Sequence, residues 1–157
     1  MIVVADTGPL YYLILLGHIE GLHILYGEVV IPPAVQDELL DPSAPEPVRS
    51  WISSPPPWLE IRTPGRIDPR LSRALDEGEL EAITLAQQGT GEVLLAIDER
   101  RGRSEAQKAG LKIIGTLGIL EEAHRRGLLN LREAVEKLRQ TSFSATDALF
   151  QEFLDRS

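Results

Sequence analysis

Short, mostly apolar runs recur along this chain, and each ends at turn residues or at a carboxylate. The runs cover residues 2–5, 28–31, 93–97 and 112–114, and the first and third are followed by Asp6 and Asp98. Their length and their β-branched content predict buried strands. A proline-rich loop over 41–57 separates the first two runs from the others, and residues 59–62 beyond it predict an edge strand.

Between these runs, apolar residues have the spacing that is typical of helices. We expect helices over 10–16 (after Pro9), 18–25, 33–40, 79–88, 99–109, 117–126, 131–139 and 145–155, with at most a short helix near 48–53. Strands that alternate with helices imply a parallel sheet covered on both faces. Ligands of such sheets gather beyond the carboxyl ends of the strands.

Composition narrows the class of protein. A chain of 157 residues with 43% apolar and 25% charged side chains fits one globular domain, 1–157. It has no cysteine, and its three histidines are scattered, so disulfides and zinc sites are not expected. No apolar run approaches the roughly 18 residues of a membrane span, and the start lacks a basic lead. We therefore expect a soluble cytoplasmic protein without a membrane partner.

The charge is unevenly distributed. The net charge is −8, which argues against unaided, non-specific binding of nucleic acid. Residues 1–98 hold 5 basic and 15 acidic side chains, whereas residues 99–157 hold 11 basic and 9 acidic ones. An acidic first part is thus joined to a basic segment, and such an asymmetry indicates a functional role for the basic residues.

Two strands end in an aspartate, in "VVAD" at Asp6 and in "LLAID" at Asp98. If both strands are parallel and interior, both carboxylates lie at the same edge of the sheet. Each aspartate could instead only cap the turn or helix that follows it. Two parallel strands that direct charge into one crevice favour a functional site over two independent caps.

Two glutamates fall on apolar helix faces. Glu79 lies near the middle of the apolar face of the helix over 79–88, whereas Glu81 points the opposite way. Glu38 lies between the directions of its apolar neighbours, and Asp37 lies off that arc. Glu79 could instead be a first-turn carboxylate that the helix dipole favours, and Glu38 a surface residue at the edge of the core face.

Four acidic side chains that all point inward would need a cation to neutralise their charge. Like charges and burial both raise the pKa of a carboxyl group, so the cluster is costly unless an ion neutralises it. Oxygen ligands without His or Cys favour Mg²⁺ or Mn²⁺, which suits metal-assisted hydrolysis of a phosphodiester. The acids are Asp6, Glu38, Glu79 and Asp98.

The basic segment has a role in this hypothesis. Arg100, Arg101 and Arg103 follow Asp98 and could bind the phosphates that flank the cut, although a solvated helix face is the simpler interpretation. Thr116 opens a helix after a strand, where N–H groups can bind an anion, but an ordinary N-cap is favoured. Tyr11 and Tyr12 could stack on bases, although packing in the core or in a dimer is favoured.

Several segments of the chain together resemble those of a known protein family. The segments "VVADTGPL", "VIPPAVQDEL", "GELEAI", "LLAIDERRGR", "GLKIIGTLGIL" and "SFSATDALFQEFL" are similar to those of PIN-domain proteins. The similarity is greatest to a little-characterised prokaryotic branch near the VapC-type toxin ribonucleases of toxin–antitoxin pairs, and it covers nearly the whole chain.

This resemblance implies a three-layer α/β/α fold with a central parallel sheet and a metal-dependent ribonuclease site of three or four acids. By position these are Asp6, Glu38, Glu79 and Asp98, and Thr7 matches the hydroxyl residue after the first acid. The toxins more often have aspartate at the third position, and Glu81 and Glu99 lie near enough to leave some ambiguity. The resemblance further implies RNA as substrate, a small antitoxin protein as partner, and a homodimer.

Two other hypotheses remain. The chain could be a PIN-fold module that binds RNA or a protein without cutting. A phosphoacceptor receiver-like domain also clusters acids at a sheet edge, but it needs a lysine at the end of a late strand, where this chain has Ile114-Gly115-Thr116. The four acids favour the nuclease.

Overall fold

The computed structural model describes all residues from Met1 to Ser157. The strands are β1 (Ile2–Ala5), β2 (Glu28–Ile31), β3 (Leu59–Ile61), β4 (Val93–Ala96) and β5 (Lys112–Ile114). The helices are α1 (Thr7–Leu16), α2 (Glu20–Tyr26), α3 (Pro33–Leu39), α4 (Glu46–Ser53), α5 (Glu77–Gln88), α6 (Arg100–Lys108), α7 (Thr116–Arg125), α8 (Leu131–Arg139) and α9 (Asp147–Arg156).

All five strands are parallel, in the order β3-β2-β1-β4-β5. The chain moves outward from β1 to β3, returns to pair β4 with the other side of β1, and then adds β5. The direction of winding therefore reverses between β1 and β4, where open α/β sheets bind ligands beyond their carboxyl ends. Ala5 pairs with Ala96 at this point, so both strands end at the same level.

Two hydrophobic cores cover the two faces of the sheet. On one face Val3, Val29 and Ala96 pack with apolar side chains of α1, α2, α4, α7, α8 and α9. On the other, Val4 and Leu95 pack mainly against α5 and α6. Alternate strand residues point to opposite faces, which explains why adjacent valines of β1 enter different cores. The expected α/β/α architecture with a central parallel sheet is confirmed.

The structure differs from the sequence prediction mainly at element ends. Helix α1 begins at Thr7, before Pro9, and α7 begins at Thr116. The proline-rich loop contains a full helix, α4, with Pro47 in its first turn. Proline is tolerated there because the N–H groups of a first turn have no partner within the helix. None of the helices has the length and apolar character needed to cross a membrane.

The Leu10→Ala substitution should test how far the first core supports the site. Leu10 is fully buried in α1, the helix that follows Asp6 directly. We expect the free energy of unfolding to fall by about 2–5 kcal/mol, because the lost side chain leaves a cavity. Urea unfolding measures this loss. Leu128→Ala, at a residue that is 39% exposed, is the control and should change stability by less than about 0.5 kcal/mol.

Candidate functional site

Asp6 is buried at the carboxyl end of β1, with 6% of its surface exposed. Its backbone N–H donates to the Ala96 carbonyl at 2.9 Å, which continues the ladder between β1 and β4. Asp6 occupies the N-cap position of α1, yet its side chain makes no capping hydrogen bond. The capping interpretation therefore does not explain this carboxylate.

The electrostatic environment of Asp6 is unfavourable for a charge. Burial is the largest effect, and it raises the pKa of Asp6 to about 8. The backbone N–H of Thr7 opposes this shift in part, whereas the negative charges of Asp76, Glu38 and Glu79 add to it. No basic side chain forms an ion pair with Asp6.

Three carboxylates converge on the backbone of Gly78 in the first turn of α5. A Cβ atom at this position would lie 3.4 Å from Asp6 Oδ1 and 3.5 Å from Asp76 Oδ1, and it would collide with Glu38 Oε1. Only glycine leaves this space open. The structure thus brings two predicted acids, Asp6 and Glu38, together with a third that the sequence analysis does not single out.

Glu38 approaches this space from the solvent. The residue as a whole is exposed, but its carboxylate end lies against Gly78. Partial burial is the main cause that raises the pKa of Glu38, followed by the charge of Asp76, while the Thr7 hydroxyl nearby lowers it. The Thr7 Oγ1 atom is buried, and no partner lies at a distance and angle that would make a hydrogen bond with it. Thr7 therefore presents an unpaired hydroxyl at this site.

Glu79 fits both interpretations of the sequence. Its Oε1 accepts from the Asp76 N–H at 3.0 Å while Asp76 Oδ1 accepts from the Glu79 N–H at 2.7 Å, which forms a capping box. Its Oε2 is buried without a hydrogen-bond partner, against Gly102 of α6. Burial raises the pKa of Glu79. One oxygen therefore caps the helix, and the other is left unsatisfied.

Asp98 is held by Thr116. The Thr116 N–H donates to Oδ1 at 2.7 Å, and its hydroxyl donates to Oδ2 at 2.6 Å. Burial raises the pKa of Asp98, while these bonds and the charge of Arg103 oppose the shift. Thr116 is fully buried. Thr116 is among the residues predicted to contact the substrate. This geometry instead favours a role in which Thr116 positions Asp98.

Asp98 also reaches the helix that carries Asp6. A Cβ atom at Gly8 would lie 3.0 Å from Asp98 Oδ2, so this carboxylate contacts the first turn of α1. Asp98 and Asp6 therefore flank the point where the winding of the sheet reverses. The electrostatic effect on Asp6 nevertheless comes from Asp76, Glu38 and Glu79.

The three predicted arginines differ in their surroundings. Arg100 is exposed and makes neither an ion pair nor a side-chain hydrogen bond. Arg101 Nη1 donates to the Ala74 carbonyl at 3.2 Å. Arg103 is half-buried, and its Nη1 donates to the Ile97 carbonyl at 3.0 Å, beside Asp98. None of the three is neutralised by a carboxylate at ion-pair distance.

The oxygen ligands at this site are of the kind that a hard cation prefers, but they do not form a complete coordination shell. No three Asp, Glu, His or Cys side chains are arranged so that they could hold a metal ion. The donors are nevertheless all carboxylate oxygens, one of them buried and unpaired, and burial together with the neighbouring acids raises the pKa of Asp6. An ion that keeps several waters and meets one or two carboxylates directly, as Mg²⁺ does, suits this arrangement.

Sequence reasoning missed the acid Asp76 and the contact that Glu81 makes. Asp76 is the N-cap of α5, and its spacing to Glu79 is the capping-box signature that could have revealed it. Glu81 points away from the core face, but its Oε1 accepts from the Ala34 N–H at 3.1 Å. It thereby joins α5 to the first turn of α3, the helix that carries Glu38. No signal in the sequence predicts this contact.

A model of the PIN-domain family matches residues 2–157. The chain belongs to the PIN-domain family. The fold agrees with a solved PilT N-terminus domain protein from the hyperthermophilic archaeon Sulfolobus solfataricus P2, with a TM-score of 0.53 and 15% sequence identity over 93% of this chain and 100% of that one. No curated protein matches the sequence. PIN domains are generally nucleases that use divalent metals, so the fold is that of a nuclease family.

The metal-free PIN domain should lose stability as the pH rises. The pKa of Asp6 is 3.8 in a model peptide and about 8 here, so folding takes up a proton between these values. The resulting fall in the free energy of unfolding begins near pH 4 and is complete above pH 8. It amounts to a few kcal/mol, because a pKa difference of one corresponds to about 1.4 kcal/mol.

Urea unfolding in EDTA at pH 5, 7 and 9 measures this dependence. The Asp6→Asn variant has no carboxyl group at this position, so its loss of stability from pH 5 to 9 should be smaller than that of the wild type. Parallel pH profiles of the two proteins would contradict the assigned cause.

Proposed function

We propose that this PIN-domain protein is a Mg²⁺- or Mn²⁺-dependent endoribonuclease whose acids are Asp6, Glu38, Glu79 and Asp98. The observation that carries the proposal is the environment of Asp6. This carboxylate is buried at the reversal point of the sheet, surrounded by further acids, and neutralised by no basic side chain. Such an arrangement destabilises the free protein, which supports a site whose cost a bound cation offsets.

Asp6 and Glu38 are the side chains that would hold the ion, with Asp98 at the adjacent strand end. When bound, the ion supplies an activated water and screens the charge that develops on the phosphate. Thr7 has a hydroxyl free to orient a water or a phosphate oxygen. Arg100 and Arg103, next to Asp98, have the charge needed to hold flanking phosphates of an RNA strand.

A non-catalytic PIN module is the second candidate, and the geometry of two acids supports it. Both oxygens of Asp98 accept hydrogen bonds from Thr116, and one oxygen of Glu79 is used in a capping box. In this alternative the two acids stabilise helix ends, and the chain binds RNA or a protein without cutting it. Dependence of RNA cleavage on metal separates the two functions.

A more specific part of the proposal is that the nuclease acts as the toxin of a toxin–antitoxin pair. It rests on the resemblance to VapC-type toxins, and it includes a small antitoxin partner, a homodimer and a cytoplasmic location. A short gene directly upstream that encodes a partner would support the toxin role, and an isolated gene would count against it. Light scattering of the purified chain measures the oligomeric state.

The Asp6→Asn variant should lose cleavage of a mixed RNA in the presence of Mn²⁺. The amide keeps the shape of the carboxylate but removes its charge, and loss of a cation ligand should lower the rate by about 100-fold or more. The control is Asp37→Asn, at an exposed acid adjacent to Glu38, which should cleave at the wild-type rate. Cleavage that survives in EDTA, or that is equal in both variants, would contradict the proposal.

The Gly78→Ala variant tests the space between the acids without removing any of them. The added methyl group would displace the carboxylate of Glu38, which is an exposed residue. We expect weaker binding of Mn²⁺ in calorimetry, while stability stays equal or rises by up to about 1 kcal/mol, since alanine favours helix over glycine.

Gly21→Ala is the matched control, because a Cβ atom at this helical glycine meets nothing within 4 Å. It should gain the same stability and bind Mn²⁺ as the wild type does. Unchanged Mn²⁺ affinity in Gly78→Ala would remove Glu38 from the set of ligands.

A further inference from the structure

A groove of about 860 Å³ begins at Asp98 and extends away from the acidic cluster. Its walls come from the start of α6, from the face of α7 that adjoins β5, and from α9 with the segment over 142–145 before it. The volume lies within the range of about 300–1,000 Å³ that is typical of sites for small molecules. The groove is therefore continuous with the candidate active site and ends at the C-terminal helix.

The charges in this groove are of two kinds. At the far end, Glu121 is bound by Arg125 at 3.3 Å and by Arg156 at 2.9 Å, so these arginines are largely occupied. At the near end, Arg100 and Arg103 line the groove beside the acids Asp98 and Glu99, and neither arginine forms an ion pair. The two arginines of the groove that have no carboxylate at ion-pair distance thus lie where the groove joins the acidic cluster.

The middle of the groove is apolar and aromatic. Tyr12 and Phe143 line it together, with their rings 5.1 Å apart and perpendicular, and the Tyr12 hydroxyl is hydrogen-bonded to Ser142 Oγ at 3.0 Å. Both rings are partly exposed. Leu149 of α9 also lines the groove, and 39% of its surface is exposed.

We propose that this groove binds the unpaired nucleotides of the RNA strand that lie next to the cleaved phosphate. The inference rests on the proposed ribonuclease function for the identity of its ligand. An RNA strand with one phosphate at Asp6 and Asp98 continues beyond these acids. Arg100 and Arg103 lie on the side where the groove begins. Beyond them, partly exposed aromatic and aliphatic side chains suit bases, which are available for such contacts in single strands and not in a duplex.

The Leu149→Glu variant tests this assignment. The added carboxylate would lie in the groove, where it repels phosphates and replaces an apolar contact. We expect about tenfold weaker binding of a fluorescein-labelled, ten-nucleotide single-stranded RNA, measured by anisotropy in EDTA. A perfect duplex of the same sequence should bind more weakly than the single strand to the wild type.

Leu128→Glu is the matched control, since Leu128 is also 39% exposed but lies outside the groove. It introduces the same charge and should leave the affinity within about twofold of wild type. Equal effects of the two variants would assign the loss to net charge and overturn the proposal. Equal binding of duplex and single strand would also overturn it.

Cleavage measurements keep this test separate from that of the ribonuclease itself. In Mn²⁺, Leu149→Glu should raise the KM for the ten-nucleotide RNA but not for a dinucleotide, which reaches only the acidic cluster. If the wild type cleaves neither substrate, the ribonuclease proposal fails, whereas the anisotropy result still decides whether the groove binds RNA. If both substrates are cleaved and Leu149→Glu changes neither KM, the groove proposal fails alone.

Discussion

The burial of Asp6 at the end of a central strand is the constraint on which the site depends. A carboxylate that is removed from water, with other acids beside it and no basic side chain to compensate, favours its protonated form. The surrounding structure does not relieve this condition. Glycine at position 78 instead leaves room for two more carboxylates to approach. Natural proteins retain such costs where function needs them, which is why the environment of Asp6 supports an ion-binding site.

The acids around this point do not all have the same role. Asp98 is fixed through two hydrogen bonds from Thr116, and it ties the end of β4 to the start of α7. Glu79 uses one oxygen to cap α5 and leaves the other unpaired against Gly102. Glu38 differs from both, because it is exposed and its carboxylate reaches Gly78 from the solvent side. The cluster therefore combines one fixed carboxylate after a strand end, one fixed in a helix cap, and one on an exposed residue.

Much of the fold follows from the sequence because each strand is a short apolar run and each helix has an apolar face. The same physics predicts that Asp6 and Asp98 meet at one edge, since parallel strands end together. The position of Asp76 is harder to predict, because its role as a helix cap conceals its proximity to Asp6. The contact of Glu81 with the Ala34 N–H depends on how two helices meet in space, which periodicity along one helix does not determine. The prolines over 41–57 predict at most a short helix near 48–53, and α4 begins earlier, at Glu46, because proline is tolerated in a first turn but disfavoured elsewhere in a helix.

The uneven distribution of charge has a structural explanation in part. The basic segment from residue 99 onward builds the wall formed by α6, α7 and α9. Arg125 and Arg156 hold the half of this wall near Glu121 together, and the guanidinium of Arg156 also lies 4.3 Å from the ring centre of Phe153. Arg156 thereby attaches the C-terminal helix to α7, whereas Arg125 pairs with acids of its own helix. Arg100 and Arg103, which line the same groove, have no such partner, so part of the unpaired positive charge lies beside Asp98. A polyanion that enters the acidic cluster needs positive charge at this position, since the carboxylates alone would repel it.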